Sequence, residues 1–373
     1  MKKILLISFE YPINSSYCGG VGQVVKQSRD ALVGLGHEVY VLITREFFKK
    51  MPARLMLPDG TLVTYKNLFL LERDYPWVEF DCIIQHFVNW IRQFKRLRQL
   101  KGRRPKIIYQ FHSILRREKD AGFNTFKKYL VNQERMIELS DQVICPSHYE
   151  FEHFNRYFPI FSKMVVLIEN TVEHFPFRQE EVNQLKRLHK ISDKDVVSLY
   201  VGRLERIKGA DIIIDHLPRL MHRHKNLKMF IFGKSREPSL YRRMQRIKKL
   251  FPRRLFYLKY VEKQKLFQYY YLSQIYVNTS LSESFSLSTH EGALCNNALL
   301  LNRLPVFNKF RHSALFFSAQ DGNSDGLVTR FSQLIDNGEF RTRLAKKALR
   351  LVRHSTNKEF LRVNLSQIVK NSY

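Results

Sequence analysis

Two glutamates stand eight positions apart in the carboxy-terminal half of the chain, Glu283 and Glu291. Between them, Phe285, Ser286 and Leu287 lead from a loop into the start of a helix. Because a helix N-terminus attracts anions, phosphates would lie between the two carboxylates. Glu283 could then bind a sugar hydroxyl and Glu291 a ribose. Residues 285–287 would form the loop of the site that binds this sugar-bearing ligand, called the donor site below.

Two cations flank a strand-to-helix turn farther upstream, Arg203 and Lys208. An arginine fork and a lysine point charge at this spacing can both reach one diphosphate. Taken alone, two surface cations are usually solvated, and two glutamates eight apart occur by chance in a long chain. Because the cations and the glutamates occur together, chance is a poor explanation. We therefore predict that Arg203 and Lys208 bind a diphosphate.

The first strand-to-helix loop carries glycines, in the run Gly19-Gly20-Val21-Gly22. Without side chains, a phosphate or sugar can approach backbone N–H groups at the positive end of a helix. A glycine pair that only makes a tight turn explains the loop equally well. Gly19 and Gly20 are thus candidate phosphate-binding residues, with the turn as the alternative.

Apolar strands alternate with segments of helical period along the chain, which predicts two α/β domains built on parallel sheets. We predict an N-terminal domain over 1–180, a carboxy-terminal domain over 181–355, and a helix within 356–373 that packs back on the first domain. The predicted strands are Ile4–Phe9, 39–43, Cys82–Ile84, Ile107–Phe111, Val143–Cys145 and Val165–Ile168, then Val196–Val201, Met229–Phe232, Leu255–Leu258 and Ile275–Asn278.

The composition is that of a globular protein with 373 residues, 44% apolar content and a formal net charge of +29. The charge implies attraction to nucleic acid, anionic lipid or an acidic substrate. Four scattered cysteines indicate free thiols in a reducing compartment, so the expected location is the cytoplasm. Glu10 and Pro12 interrupt the first apolar run, which excludes a secretory signal, and no later run is long enough to cross a membrane.

The motifs together resemble the retaining GT-B glycosyltransferases often called family 4, which include glycogen-synthase-like enzymes. The resemblance covers nearly the whole chain. It implies two Rossmann-like domains whose parallel sheets face across a cleft, with the donor held mostly by the second domain. The motifs are the Gly-Gly loop, Gly36-His37-Glu38-Val39, Gln110-Phe111-His112, Asn170-Thr171-Val172, Val201-Gly202-Arg203-Leu204 with Lys208-Gly209, and the pair Glu283 and Glu291.

The resemblance also implies roles. His112 would lie near the transferred sugar, because its place directly after the strand Ile107–Phe111 favours this role over that of an ordinary core histidine. Gly19-Gly20 would close over phosphate and acceptor. The enzyme would be a hexosyltransferase that retains the anomeric configuration without a protein nucleophile. The donor would be a nucleotide diphosphate sugar, with UDP as the commonest nucleotide, and no metal or other cofactor would be needed.

Two metal-like patterns are predicted to be polar turns. Asp193-Lys194-Asp195 matches an Asp-x-Asp motif but falls in a loop before a strand. Asp321, Asn323 and Asp325 resemble the start of an EF-hand loop, yet Ser332 occupies the position of its bidentate glutamate.

Three departures from the family pattern lead us to expect an altered donor-sugar preference. Lys234-Ser235 replaces a glycine-rich turn, Ser286 replaces a glycine before Leu287, and residues 292–299 lack the usual glycine and proline.

Residues 90–106 carry eight cations and no acid, interleaved with apolar side chains such as Trp90, Phe94 and Leu97. This pattern predicts adsorption to an anionic membrane, and with it a lipid-linked or cell-envelope acceptor reached from the cytoplasmic face. The alternative is an apolar face in the core with solvated cations. Two other functions stay open: a polyanion-binding or nucleic-acid-binding protein, and a nucleotide-sugar epimerase or phosphorylase on the same fold.

Overall fold

The computed structural model describes residues 1–12, 18–43, 54–56, 62–64, 77–319, 325–353 and 358–370. The chain divides into two compact units. Unit 1 comprises residues 1–171 together with the carboxy-terminal helix, and unit 2 comprises residues 172–356. The predicted boundary at residue 180 lies just inside unit 2.

Unit 1 contains an eight-stranded sheet in the order β3-β4-β2-β1-β5-β6-β7-β8. Its strands pair in parallel, except that β3 is antiparallel to β4. The strands are β1 Lys3–Ser8, β2 Glu38–Ile43, β3 Arg54–Met56, β4 Leu62–Thr64, β5 Cys82–Gln85, β6 Lys106–Gln110, β7 Gln142–Cys145 and β8 Val165–Leu167.

Helices cover both faces of this sheet, because its central strands are apolar on both sides. Along β1, Leu5 and Ile7 join one core cluster, while Ile4 and Leu6 join the other. The helices are α1 Gly20–Val33, α2 Ile91–Gln99, α3 Leu115–Asp120, α4 Lys127–Leu139, α5 His148–Tyr157 and the carboxy-terminal α13 Lys358–Lys370. Helix α13 packs against α1 and buries Leu365 in the cluster that contains Ile4.

Unit 2 contains a six-stranded parallel sheet in the order β11-β10-β9-β12-β13-β14. Its strands are β9 Val196–Val201, β10 Leu227–Phe232, β11 Leu255–Leu258, β12 Ile275–Asn278, β13 Ala298–Asn302 and β14 Ala314–Phe317. Its helices are α6 Gln179–Leu188, α7 Ala210–Arg223, α8 Pro238–Leu250, α9 Lys263–Leu272, α10 Leu287–Leu294, α11 Asp325–Asp336 and α12 Gly338–Val352.

Both sheets have a topological switch point, where the strand order reverses. In unit 1, β1 lies between β2 and β5; in unit 2, β9 lies between β10 and β12. In open α/β sheets, ligands bind in the crevice beyond the carboxyl ends of the strands at such a point. The loops after β1, β5, β9 and β12 are therefore where a ligand-binding residue is expected.

The α/β class and the two Rossmann-like units agree with the sequence prediction. The strands β3, β4, β13 and β14 were not predicted. The run that forms β13, Ala-Leu-Leu-Leu-Asn, is fully buried. A short, continuous apolar run does not distinguish a buried strand from a buried helix, so periodicity could not identify it.

The basic stretch does not present an apolar face to a membrane. On α2, Ile91, Phe94 and Leu97 are buried in the core of unit 1, and the exposed side chains include Arg92 and the other cations on its outer face. The apolar face of this helix therefore packs in the core, as the alternative held, and adsorption to an anionic membrane stays a prediction that depends on the exposed cations. The reason is that one stripe of a surface helix must cover its own sheet.

Candidate functional site

A glycine holds the turn after β9 against the end of β12. Gly209 has a φ of +59°, and a Cβ at this position would lie 1.8 Å from the carbonyl oxygen of Thr279. The hydroxyl of Thr279 donates to the carbonyl of Gly209 at 2.7 Å. No other residue type fits there, so the close approach of the two loops depends on Gly209.

This approach brings together two of the predicted site residues. The ammonium group of Lys208 lies 2.9 Å from Glu283 Oε1, and the hydroxyl of Ser280 donates to the same oxygen at 2.8 Å. The Glu283 side chain is 10% exposed and that of Lys208 is 26% exposed. Both groups can therefore still reach a ligand. The carbonyl of Ser280 in turn accepts from Asn302 Nδ2 at 2.9 Å, which holds the loop to the end of β13.

Arg203 occupies the same turn but has a different partner. Its guanidinium lies 3.3 Å from Glu205 Oε2, and the other oxygen of Glu205 lies 3.4 Å from Arg236 Nε. The backbone N–H of Leu204 donates to Lys234, so the segment that departs from the family pattern is bound to the Arg203 loop. Glu205 was not identified from the sequence.

Glu291 lies on α10 and is only 3% exposed. Its carboxylate forms an ion pair with Lys263 and accepts a hydrogen bond from Tyr270 OH at 3.0 Å. Burial raises the pKa of Tyr270 well above its usual value, which keeps the phenol protonated as a donor. Lys263 and Tyr270 were also missed. They lie seven residues apart on α9, the spacing of one helix face, which was the only signal in the sequence.

The loop before α10 contains one departure from the family pattern, Ser286 in place of a glycine. Ser286 has a φ of +65°, a left-handed conformation in which glycine is the favourable residue. Its hydroxyl accepts from Asn278 Nδ2 at 3.1 Å and lies 2.8 Å from Thr289 Oγ1. Phe285 stacks on the buried His290 at 4.1 Å, and Leu287 begins the helix.

In unit 1, a carboxylate of the protein itself lies at the N-terminus of α1. The carboxylate of Glu10 accepts hydrogen bonds from the backbone N–H of Gly19 at 3.2 Å and of Gly22 at 3.0 Å. A Cβ at Gly19 would lie 2.7 Å from Glu10 Oε1, so glycine here makes room for a carboxylate. Gly20 is exposed at the first position of the helix. A diphosphate bound at this loop would be repelled by the negative charge of Glu10. This repulsion weighs against phosphate binding by Gly19.

His112 follows β6 and faces another histidine. Its Nε2 lies 3.3 Å from Nδ1 of His86, which directly follows β5. Burial lowers the pKa of His112 to about 4, and it lowers the pKa of His86 well below its usual value. Both rings are therefore neutral at physiological pH. His86 was not identified from the sequence.

Asp195 is part of a turn. Its carboxylate accepts from the backbone N–H and the hydroxyl of Ser192 at 2.7 and 2.9 Å. The start of the EF-hand-like pattern, residues 321–324, lies outside the described residues. Within the described ranges, no group of three or more histidine, cysteine, aspartate or glutamate side chains could hold a metal ion. None of the helices in those ranges combines the length and apolar character that a bilayer crossing demands.

Two family matches cover most of the chain. Residues 181–350 match the glycosyl transferases group 1, and residues 18–174 match glycosyltransferase family 4. The chain belongs to the group 1 glycosyltransferases, a family of transferase enzymes.

Its relatives include components of an enzyme that acts on a lipid. The chain is 23% identical over 310 residues to the phosphatidylinositol N-acetylglucosaminyltransferase GPI3 subunit of Saccharomyces cerevisiae, covering 78% of this chain and 66% of that one. It is 22% identical to a human phosphatidylinositol N-acetylglucosaminyltransferase subunit, covering 77% of this chain and 59% of that one. The match thus spans less than two thirds of these relatives.

Solved structures show the fold. A sucrose-phosphate synthase from Thermosynechococcus elongatus superposes with a TM-score of 0.79 at 18% identity, covering 99% of this chain and 98% of that one. HepE from Anabaena, in complex with UDP-glucose, superposes with a TM-score of 0.77 at 15% identity, covering 99% of this chain and 100% of that one. The fold is GT-B, as predicted.

Proposed function

We propose that this protein transfers a sugar from a nucleotide diphosphate sugar to a lipid-linked or cell-envelope acceptor, with retention at the anomeric carbon. The observation that carries the proposal is the contact between Lys208 and Glu283 at the switch point of unit 2. A cation and a carboxylate 2.9 Å apart can be bridged by one ligand that has a phosphate beside a hydroxyl-bearing ring.

In the proposed complex, the donor replaces this internal ion pair. Lys208 and Arg203 bind the diphosphate and stabilise the negative charge that grows as the bond from the sugar to the phosphate breaks. Glu283 accepts a hydrogen bond from a sugar hydroxyl, and Glu291 accepts from the ribose. Ser280 and Tyr270 hold the two carboxylates in place.

Retention follows if the acceptor attacks from the face that the diphosphate leaves. The bond between the anomeric carbon and the phosphate oxygen breaks, the bond to the acceptor oxygen forms, and the leaving phosphate takes the acceptor proton. No protein nucleophile takes part, and protein cations supply the positive charge in place of a metal. His112 is a neutral hydrogen-bond donor to the transferred sugar in this scheme, because burial lowers its pKa to about 4.

The comparisons support a choice of donor and acceptor. HepE is described in complexes with UDP-glucose and with UDP and glucose, which favours a UDP-sugar. The yeast and human relatives are named for transfer to phosphatidylinositol, which favours a lipid acceptor. We propose that the protein works at the inner face of a membrane, with the exposed cations Arg92, Lys95 and Arg96 of α2 attracted to anionic lipid.

A thermal-shift screen tests the donor site. The protein is heated with UDP, GDP, ADP, CDP and dTDP and their common sugar conjugates, because a ligand that binds only the folded state raises Tm. We expect one nucleotide to raise Tm, and Lys208→Ala and Arg203→Ala to remove the effect. Lys346→Ala, which removes an exposed lysine of α12, is the matched control and should keep it.

The alternatives predict other results. No response to any nucleotide, with tight and salt-sensitive binding to heparin or RNA, would favour a polyanion-binding protein. Conversion of the nucleotide sugar without any acceptor would favour an epimerase. With a working acceptor, the anomeric configuration of the product, measured by NMR spectroscopy, tests retention directly.

A further inference from the structure

Two histidine rings meet at the carboxyl ends of neighbouring strands in unit 1. His86 follows β5 and His112 lies beyond β6, so strand pairing sets the distance between them. Their ring planes differ by 22° and their centroids are 5.4 Å apart. The distance between the ring centroids is longer than the 3.3 Å between the two nitrogens. The difference is roughly the sum of the two ring radii, as expected when two rings meet edge to edge. This is the geometry of an in-plane hydrogen bond.

The charge state limits how this bond can form. Both rings are neutral at physiological pH because burial disfavours the imidazolium form. In a neutral imidazole, one nitrogen carries a proton and the other is an acceptor. Either His86 Nδ1–H donates to His112 Nε2, or His112 Nε2–H donates to His86 Nδ1.

The surroundings of His86 distinguish the two cases. Its Nε2 is buried, and among the described residues it has no hydrogen-bond partner. If His112 were the donor, the His86 proton would be on Nε2, as a buried N–H without an acceptor. Buried N–H groups without a partner are rarer in proteins than under-satisfied acceptors. The first case is therefore favoured, with His86 donating and the proton of His112 on Nδ1.

We propose that His86 is a positioning residue that fixes the ring plane and the tautomer of His112, so that His112 presents Nδ1–H as a hydrogen-bond donor to the transferred sugar. The donor role rests on the proposed function; the tautomer does not. The partner of one ring nitrogen decides which form the other nitrogen takes, which is how neighbouring groups control functional histidines.

The backbone around His86 does not depend on its ring. The backbone N–H of His86 donates to the carbonyl of Ile7 at 2.8 Å, which continues the pairing of β5 with β1. A substitution of the side chain should therefore leave the strand in place. The residue is 2% exposed, so the replacement must be of similar size.

Two variants separate positioning from packing. His86→Asn keeps an N–H donor on the atom bonded to Cγ, where His86 has Nδ1, whereas His86→Leu fills the space without a donor. We expect His86→Leu to lower kcat roughly ten- to a hundredfold, as loss of an orienting partner does for other functional histidines. KM for the nucleotide sugar should change little, and His86→Asn should recover most of kcat.

The proposal is wrong if His86→Asn and His86→Leu lose kcat equally, or if His86→Leu keeps wild-type kcat. A purely structural role would lower Tm and donor affinity in both variants alike. Donor affinity is measured separately by calorimetry, so loss of binding is distinguished from loss of turnover.

A second measurement does not need activity. In protein labelled with ¹⁵N-histidine, ring nitrogen shifts show which nitrogen carries the proton, and His112→Gln identifies the signals of His112. We expect a protonated Nδ1 in the wild type and a change toward Nε2–H in His86→Leu. A wild-type His112 protonated at Nε2, or unchanged signals in His86→Leu, would overturn the assignment. If no transfer is ever detected, the proposed function fails while this result still decides the histidine pair.

Discussion

The carboxyl edge of the sheet in unit 2 and the ends of β5 and β6 in unit 1 place polar groups in opposite ways. In unit 2, carboxylates are buried beside cations, as Glu283 is beside Lys208 and Glu291 beside Lys263. In unit 1, the ends of β5 and β6 carry the two neutral rings of His86 and His112, while the Glu10 carboxylate beyond β1 is compensated by backbone N–H groups.

The difference follows from what burial costs. A buried charge is retained when an opposite charge and hydrogen bonds compensate for lost water, and a titratable group without them becomes neutral. The edge of unit 2 thus holds charge that a diphosphate sugar can take over. The ends of β5 and β6 in unit 1 offer neutral donors, which suit sugar hydroxyls. The following predictions test this comparison, beginning with the largest effect.

Removing the carboxylate of Glu283, which pairs with Lys208, should have the largest effect on turnover. We expect Glu283→Ala to lower kcat about a hundred- to a thousandfold, as loss of a group that positions the reacting sugar does. Steady-state kinetics with the nucleotide sugar found in the screen measures it. Asp193→Ala is the control, because the Asp193 side chain is 99% exposed. Wild-type turnover in Glu283→Ala would remove this residue from the site.

Substitution of two glycines with positive φ, Gly209 in unit 2 and Gly36 in unit 1, tests how tightly each turn is packed. Gly209→Ala places a Cβ against Thr279 and should cost about 3 kcal/mol or more of unfolding free energy. Gly36, in the turn between α1 and β2, has a φ of +80° and no atom within 4 Å of its Cβ position, so Gly36→Ala should cost about 1 kcal/mol. Urea unfolding measures both. Equal losses would mean that the contact with Thr279 is not what constrains the turn.

Membrane adsorption should depend on the outer face of α2. Replacing Arg92, Lys95 and Arg96 by serine should weaken binding to anionic vesicles by about 1 kcal/mol per charge at low salt. Arg98 is kept, because it pairs with Asp141 at 2.7 Å. The matched control replaces Arg242, Arg246 and Lys249 of α8, which are exposed in unit 2.

Vesicle sedimentation measures both triple variants. Equal weakening would show that the overall charge, and not α2, attracts the protein to lipid.

Acid should destabilise the protein through the histidine pair. The pKa of His112 is about 4 when folded and about 6.5 when unfolded, so the unfolded state binds more protons between these values. Its contribution to stability is complete above pH 6.5 and is lost as the pH falls to about 4. Between pH 7 and pH 5 this amounts to about 2 kcal/mol, which His112→Gln should remove.

Urea unfolding at the two pH values checks this effect, with the exposed His312→Gln as the control. An unchanged pH dependence in His112→Gln would mean that His112 is not held in its neutral form by burial.

The smallest effect is expected at Ser286. Ser286→Gly relieves a left-handed conformation worth about 1 kcal/mol but loses hydrogen bonds of similar value, so stability should change by less than about 1 kcal/mol. Asn296→Gly relieves the same kind of φ, at +60°, in an exposed residue. A clear gain from Ser286→Gly, equal to that from Asn296→Gly, would show that the contacts with Asn278 and Thr289 contribute nothing.

Local pattern was sufficient for much of the fold. The bounds of Val196–Val201, Leu255–Leu258 and Ile275–Asn278 agree with the prediction, because each strand is an apolar run between polar turns. For β3 and β4, only three residues each, the pattern was too short. On α2, the sequence showed an apolar stripe and a basic stripe but not which neighbour covered the apolar one.

The same division between local sequence pattern and tertiary contacts holds for the candidate site. The sequence by itself determined which residue types stand at the strand-to-helix turns, and hence the predicted cations, glutamates and His112. Only the tertiary structure decided their partners, because Lys208 and Glu283, Lys263 and Glu291, and His86 and His112 come from different strands, helices and turns. It also decided that Glu10 caps the glycine loop and that His112 is neutral. Hydrogen bonding and desolvation depend on what lies nearby in space, which residue spacing along a chain does not contain.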